Sequence, residues 1–179
     1  MATSKREAQW VLRAQCNDRE ALELLLRSVQ PLLHRYICGL VGSFYADDIL
    51  QDVLITVCHK LKRLHAPELF RPWVYRIASR SAFRHLKKEK CWPEPVRDES
   101  VLEAMAAPDS QPSAELLQDL LNIEGLSPAS RAVLALHFQG ELSLPETAAI
   151  LEIPLGTVKS RLAYGLAFLR KQISTKRSI

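Results

Sequence analysis

Residues 143–162, SLPETAAILEIPLGTVKSRL, leave the chain fewer ways to fold than any other stretch. Ser143 and Glu146 stand in the S-x-x-E pattern of a capping box, in which each side chain satisfies a backbone N–H at the start of a helix. The helical pattern behind that cap ends at Leu151. A corner of three residues, 152–154, follows, and a second helical pattern begins at Leu155. Two helices joined this way outline a helix-turn-helix, whose second helix fits the major groove of DNA.

Taken at about 100° per residue, the second helix divides into two faces. Leu155, Val158, Leu162, Leu166 and Leu169 share one, and Gly165 allows close approach there. Thr157, Ser160, Arg161, Tyr164 and Phe168 fall opposite, while Gly156, Ala163 and Ala167 keep part of that outer face small. A groove-reading helix needs an apolar back and short or bidentate polar groups in front. Arg161 suits a guanine edge, and Lys159 and Arg170, nearer the rim, suit phosphates.

The rest of the chain also reads as helix, with no convincing alternating strand pattern. A helix capped by Asn17 or Asp18 carries Ala21, Leu22, Leu25, Val29, Leu32 and Leu33; Pro31 is expected to kink or interrupt it, and Gly39 and Gly42 mark its end. A third helix is expected from Asp47 or Asp48, then a loop over 64–72 and a fourth helix over 73–90. Residues 91–113 hold Pro93, Pro95, Pro108 and Pro112 among acidic and Ser residues and read as a flexible linker, with one turn around 101–105. Beyond it, helices are expected over 114–123, 128–138, 144–151 and 155–173. The fold class is therefore all-α: two small helical domains, 1–90 and 114–179, joined by the acidic linker 91–113.

Net charge is only +4, but it is segregated. Residues 60–90 hold ten Lys/Arg against two acids, Glu68 and Glu89, and residues 153–179 hold six against none. Such blocks point to a polyanionic partner. On the fourth helix Arg76, Arg80, Arg84 and Lys87 lie within an arc of about 80°, with Trp73 in its middle, Arg71 just ahead and Ala78, Ala82, Leu86 and Tyr75 opposite. Cations tracking a backbone beside aromatics that can stack on bases suit single-stranded nucleic acid. Like charges four apart destabilise a lone helix, so something anionic should offset them.

Other function classes find little support. No apolar run approaches the length of a membrane span and the N-terminus carries no secretory signal, so a cytoplasmic protein without membrane insertion is expected. Cys16, Cys38, Cys58 and Cys91 form no metal-ligand spacing and read as reduced thiols, three of them packed in helices. Asp47, Asp48 and Asp52 could in principle hold Mg²⁺ in a DNA-processing enzyme. No companion motif supports that chemistry, and near a helix start such acids suit the dipole. No catalytic residue, metal or cofactor is expected.

Two stretches carry a resemblance. LSPASRAVLALHFQGELSLPETAAILEIPLGTVKSRLAYGLAFLR is similar to region 4 of bacterial sigma factors of the extracytoplasmic-function (ECF) group, and IPLGTVKSRL is close to that family's most recognisable string. DREALELLL, ADDILQDVLITVCHKL and FRPWVYRIASRSAFRHLKK, within 8–90, resemble region 2 of the same group. The resemblance implies a non-enzymatic factor that binds core RNA polymerase, at its clamp helices and flap, and promoter DNA. Gly156, Thr157, Lys159, Ser160, Arg161 and Tyr164 would read the −35 element. Arg71, Trp73, Arg76, Arg80, Arg84 and Lys87, with the loop 64–72, would open and capture the −10 element. Asp47, Asp48, Gln51 and Asp52 would dock on the polymerase. The linker would thread along a basic path through polymerase, an anti-sigma factor is a further partner the family allows, and the free chain is expected to be monomeric. The chain departs from the family pattern at Glu152, where Gly is usual; at Tyr164, where a basic residue is usual; and at Arg80 and Arg84, where Asn and Asp are usual. The rival reading is a stand-alone helix-turn-helix regulator, which would bind duplex DNA unaided, usually as a dimer.

Overall fold

The structure, a computed structural model, describes residues 2–89 and 125–177, with side chains over 5–89 and 125–172. The expected linker 91–113, Cys91 within it and the expected helix over 114–123 lie outside the described residues. Every regular element among the described residues is helical. The chain divides into two compact units, Met1–His85 and Leu86–Ile179.

The first unit is built from α1 (Ala2–Gln15), α2 (Arg19–Val41), α3 (Ser43–Lys60), two 3₁₀ turns (Leu61–Arg63 and Pro67–Leu69) and α4 (Phe70–Lys88). Asp18 caps α2, accepting the Ala21 N–H at 3.0 Å, while Asn17 turns the chain with φ 69°. Contrary to the expected interruption, α2 runs unbroken through Pro31. Leu25 and Val29 before the proline and Leu33, Ile37 and Leu40 after it are all buried. Burying each such side chain contributes roughly 1.5–3 kcal/mol, which together outweighs the proline's cost of about 3 kcal/mol. Gly39 lies inside the helix; Gly42, at φ 83°, ends it.

Two further boundaries move. α3 begins at Ser43 rather than at Asp47 or Asp48. Gly42 supplies no side-chain cap to announce that start, and fully buried Ala46 draws the first turn into the core. α4 begins at Phe70, not Trp73, because the Phe70 side chain is anchored in the core, and Pro72 then falls in the first turn, where a missing N–H is harmless. Behind α4, the Tyr36 and Tyr75 rings meet edge to face at 5.4 Å. Ser79 donates its proton to the Tyr75 carbonyl at 2.8 Å, so the Tyr36 hydroxyl must donate to Ser79 at 2.7 Å. Burial pushes that phenol well above its ordinary range.

The second unit contains α5 (Pro128–Leu134), a π-helical turn (Ala135–Gln139), α6 (Leu144–Leu151) and α7 (Leu155–Arg177). Its buried side chains include Val133, Leu134, Leu136, Ile150, Val158 and Leu169. Ser127 caps α5, accepting from the Ser130 N–H at 3.2 Å with Pro128 in the first turn. The α-helix expected over 128–138 widens to π geometry after Leu134, and His137 Nδ1 lies 2.8 Å from the Leu142 carbonyl beyond the turn. α7 packs on α5 through Gly165, where an added Cβ would stand 2.7 Å from Leu134 Cδ1. Cys16, Cys38 and Cys58 are free; Cys16, at the end of α1, and Cys58, on the outer side of α3, are exposed rather than packed.

Candidate nucleic-acid interface

On α4 the expected stripe separates by exposure. Arg80, Arg84 and Lys87, with Lys88 beside them, are exposed, whereas Arg76 and Trp73 are half-buried. Arg76 Nε is shut off from solvent without a hydrogen-bond partner. Trp73 leans on Phe70, ring centroids 6.2 Å apart. His85, on the stripe's edge, meets Tyr45 from the start of α3 with ring centroids 4.4 Å apart and planes tilted by 52°. Arg71, expected to face DNA, is paired within the first unit. Its guanidinium forms a two-pronged pair with Glu7 of α1, Nη2 to Oε1 at 2.8 Å and Nε to Oε2 at 2.9 Å, and Glu7 is almost fully buried. A carboxylate held in that setting needs its cation, so the pair ties Arg71, 33% exposed, to α1.

The segment between α3 and α4 is held by α1 at two further points that local sequence patterns did not reveal. Gln15 Nε2 donates to the carbonyls of Leu61 and Leu64 at 2.9 and 2.8 Å, and Lys62 Nζ donates to Asn17 Oδ1 at 2.7 Å. Such long-range bonds, 45 to 49 residues apart in the chain, fix the course of the loop, and Leu69 within it is half-exposed.

Asp47, Asp48, Gln51 and Asp52 all face solvent on α3. Because α3 starts four residues earlier than expected, they lie in its second and third turns, and the helix dipole no longer accounts for them. Asp47 Oδ1 lies 3.2 Å from His34 Nε2. Beside them a groove of about 430 Å³ is lined by Leu50, Leu54, Ile55 and Cys58, with Asp47 and Gln51 at its edge. Phe44 stands out from the same helix at 85% exposure. Among the described residues no three His, Cys, Asp or Glu side chains are grouped to hold a metal ion. Gln30 and His59 complete the lining, so the groove joins apolar side chains to polar ones, with Asp47 as its acid.

The helix-turn-helix is closed by local chemistry. Ser143 N–H donates to Glu146 Oε2 at 2.9 Å and the Glu146 N–H donates to Ser143 Oγ at 3.4 Å, completing the capping box. Glu152 ends α6 at φ 57°, ψ 41°, a left-handed conformation for a residue bearing a Cβ. Fully buried Val158 then sets the rotation of α7. Gly156, Lys159, Ser160 and Tyr164 come to the open side, and Thr157 is half-buried. Ser160 Oγ donates to the Thr157 carbonyl at 3.1 Å, so its free lone pairs face outward as an acceptor. Three expectations change. Arg161 lies on the flank, half-buried, where desolvation lowers the guanidinium's affinity for its proton. Phe168 is turned inward: a Cβ added at Gly125 would be 3.3 Å from its ring. Leu155, expected on the buried face, is 39% exposed.

Residues 25–91 match the family model described as Sigma-70 region 2, and residues 123–171 that described as Sigma-70, region 4. The ECF RNA polymerase sigma factor SigW of Bacillus subtilis is 28% identical over 171 residues, covering 87% of this chain and 90% of that protein. The ECF RNA polymerase sigma-E factor of Escherichia coli is 28% identical over 165 residues, covering 85% and 86%. Among solved structures, CnrH in complex with the cytosolic domain of CnrY aligns with a TM-score of 0.67 at 20% identity over 95% of this chain and 98% of that one. The sigma factor RpoE in complex with the anti-sigma factor NepR from Bartonella quintana gives 0.65 at 21%, over 85% and 96%. Those two share the fold. With both regions matched in order, and ECF sigma factors as relatives over most of its length, the chain belongs to the sigma-70 family and to its ECF group.

Proposed function

We propose that this alternative sigma factor divides promoter recognition between residues 1–90 and 114–179, with 91–113 as the tether between them. α7 reads the −35 element through Gly156, Thr157, Lys159, Ser160, Arg161 and Tyr164, with Arg161 acting from the flank rather than the centre of the helix. Arg80, Arg84 and Lys87 hold the displaced strand's phosphates, with Trp73 and Arg76 behind them, while a −10 base is taken out of the stack at a cost of a few kcal/mol. Asp47, Asp48, Gln51 and Asp52 face core RNA polymerase. Like its relatives, the factor is non-enzymatic and directs transcription initiation together with the polymerase and promoter DNA.

The observation that carries this reading is the order of the two region matches, 25–91 and then 123–171, on a chain with exposed cations along α4 and α7. A stand-alone regulator would leave the first match and the acidic face of α3 without a use. An anti-sigma factor is a further partner we propose, because RpoE is structurally similar and was solved with one; the groove beside Asp47 and Gln51 is a surface it would cover. We place the action in the cytoplasm with the polymerase; no described helix is long and apolar enough to cross a membrane. Purified chain and core polymerase, incubated with a genomic fragment library, should initiate at a limited set of start sites that share −35 and −10 sequences. Initiation no more selective than that of core polymerase alone would overturn the proposal.

A further inference from the structure

Leu155 lies at the edge of the buried side of α7 and is left 39% exposed. Val158 and Leu169 are buried at 0% and 3% exposure and anchor α7, and Gly165 gives it close contact with Leu134. A leucine in the first turn would ordinarily join that face. Instead Leu155 is exposed, three residues before buried Val158 and four before exposed Lys159. Gly156 beside it would admit a Cβ without touching anything within 4 Å. From Ile153 to the end of the chain there is no acidic residue to repel a duplex. The leading end of α7 therefore offers an apolar group, open space next to it and a cation one turn on.

Among the groups displayed in the major groove, the C5 methyl of thymine is the one an apolar side chain recognises. The first residues of a helix-turn-helix's second helix are also those that come nearest the base edges. Resting on the reading of α7 as the −35 reader, we propose that Leu155 is a specificity residue that packs against a thymine methyl in the −35 element. Lys159, on the same side, holds the adjacent phosphate. Gly156 lets the backbone come close enough for the contact.

The test uses the full chain with core polymerase on a duplex selected from a pool randomised over the −35 region. Each selected thymine is replaced in turn by deoxyuridine, which removes the methyl and leaves pairing intact. One replacement should weaken promoter binding about fourfold, the worth of one buried methylene-sized group. Leu155→Ala should bind that duplex and its deoxyuridine form equally. Leu155→Gln should move the preference at that position from thymine to adenine, which a glutamine recognises through N6 and N7. Because Leu155 is only partly covered, both variants should still fold and unfold cooperatively, with at most a modest drop in the thermal midpoint. Selective −35 recognition with no methyl dependence anywhere would overturn the assignment of Leu155 alone, as would methyl dependence that survives Leu155→Ala. A selection that returns no −35 preference would overturn the reading of α7 as well.

Discussion

Glu152 holds φ 57° at the corner between α6 and α7, where an L residue ordinarily loses about 1–2 kcal/mol relative to a right-handed conformation. Glu152→Gly should therefore stabilise the second unit by about 0.5–1 kcal/mol, read as a higher thermal midpoint; a lower midpoint would mean that Glu152's own contacts outweigh the backbone term. The opposite outcome is expected at Arg71. Arg71→Ala leaves Glu7 buried without its cation and should cost about 3 kcal/mol in urea unfolding, whereas a surface cation of α4 such as Arg84 should be nearly neutral. Asp18 gives a pH signature. The Ala21 N–H, then the Arg13 side chain, hold its carboxyl below the usual 3.8. Its stabilising effect is thus complete above that value and lost as pH falls through the lower folded value. Asp18→Asn should flatten that acid limb of the stability profile; an unchanged limb would remove Asp18 from the account. These residues differ in legibility. Ser143 and Glu146 announce their bond because both partners lie within four positions, while Glu7 and Arg71 are 64 apart and no local pattern joins them.

At the scale of elements, legibility follows the same rule. α6 carries a cap, an acid three residues on and a short apolar run, and its span, Leu144–Leu151, is the one the sequence predicts. α3 offers only Gly42 before it, and its true start is hidden behind Phe44 and Tyr45, whose aromatic rings read as loop until Ala46 is seen to be buried. Pro31 misleads in the other direction, because a propensity rule does not weigh the apolar face on both sides of it. On α7 helical periodicity places Val158 and Leu169 on the buried side, but it does not show that Leu155 in the first turn stays partly open, that Phe168 turns toward Gly125 or that Arg161 lies on the flank. For α4 the exposed cations make a prediction that separates two steps. Arg84→Ala with Lys87→Ala should leave closed-complex formation within about twofold and reduce open-complex formation at least tenfold, because the lost phosphate contacts form only with the separated strand. Fluorescence of 2-aminopurine in the −10 region reads the second step. Equal loss in both would return these residues to duplex binding.

For the whole molecule, charge segregation was the long-range signal available in the sequence. Its 24 Lys/Arg and 20 Asp/Glu nearly cancel, yet residues 153–179 carry no acid and residues 91–114 carry five acids and one Arg. Exposed cations line α4 and α7 and exposed acids line α3, and we propose that the first two face DNA and the third core polymerase. Phosphate contacts alone bind duplex only weakly at physiological salt. Strand opening in particular has to be driven by binding energy gathered elsewhere. The central claim is that core polymerase supplies it. Permanganate reactivity of −10 thymines on a selected promoter measures this directly. Those thymines should become reactive with the chain and core polymerase together, and stay protected with either alone and with an Asp48→Lys, Gln51→Lys chain. Reactivity, or tight sequence-specific duplex binding, from the chain without polymerase would contradict the account.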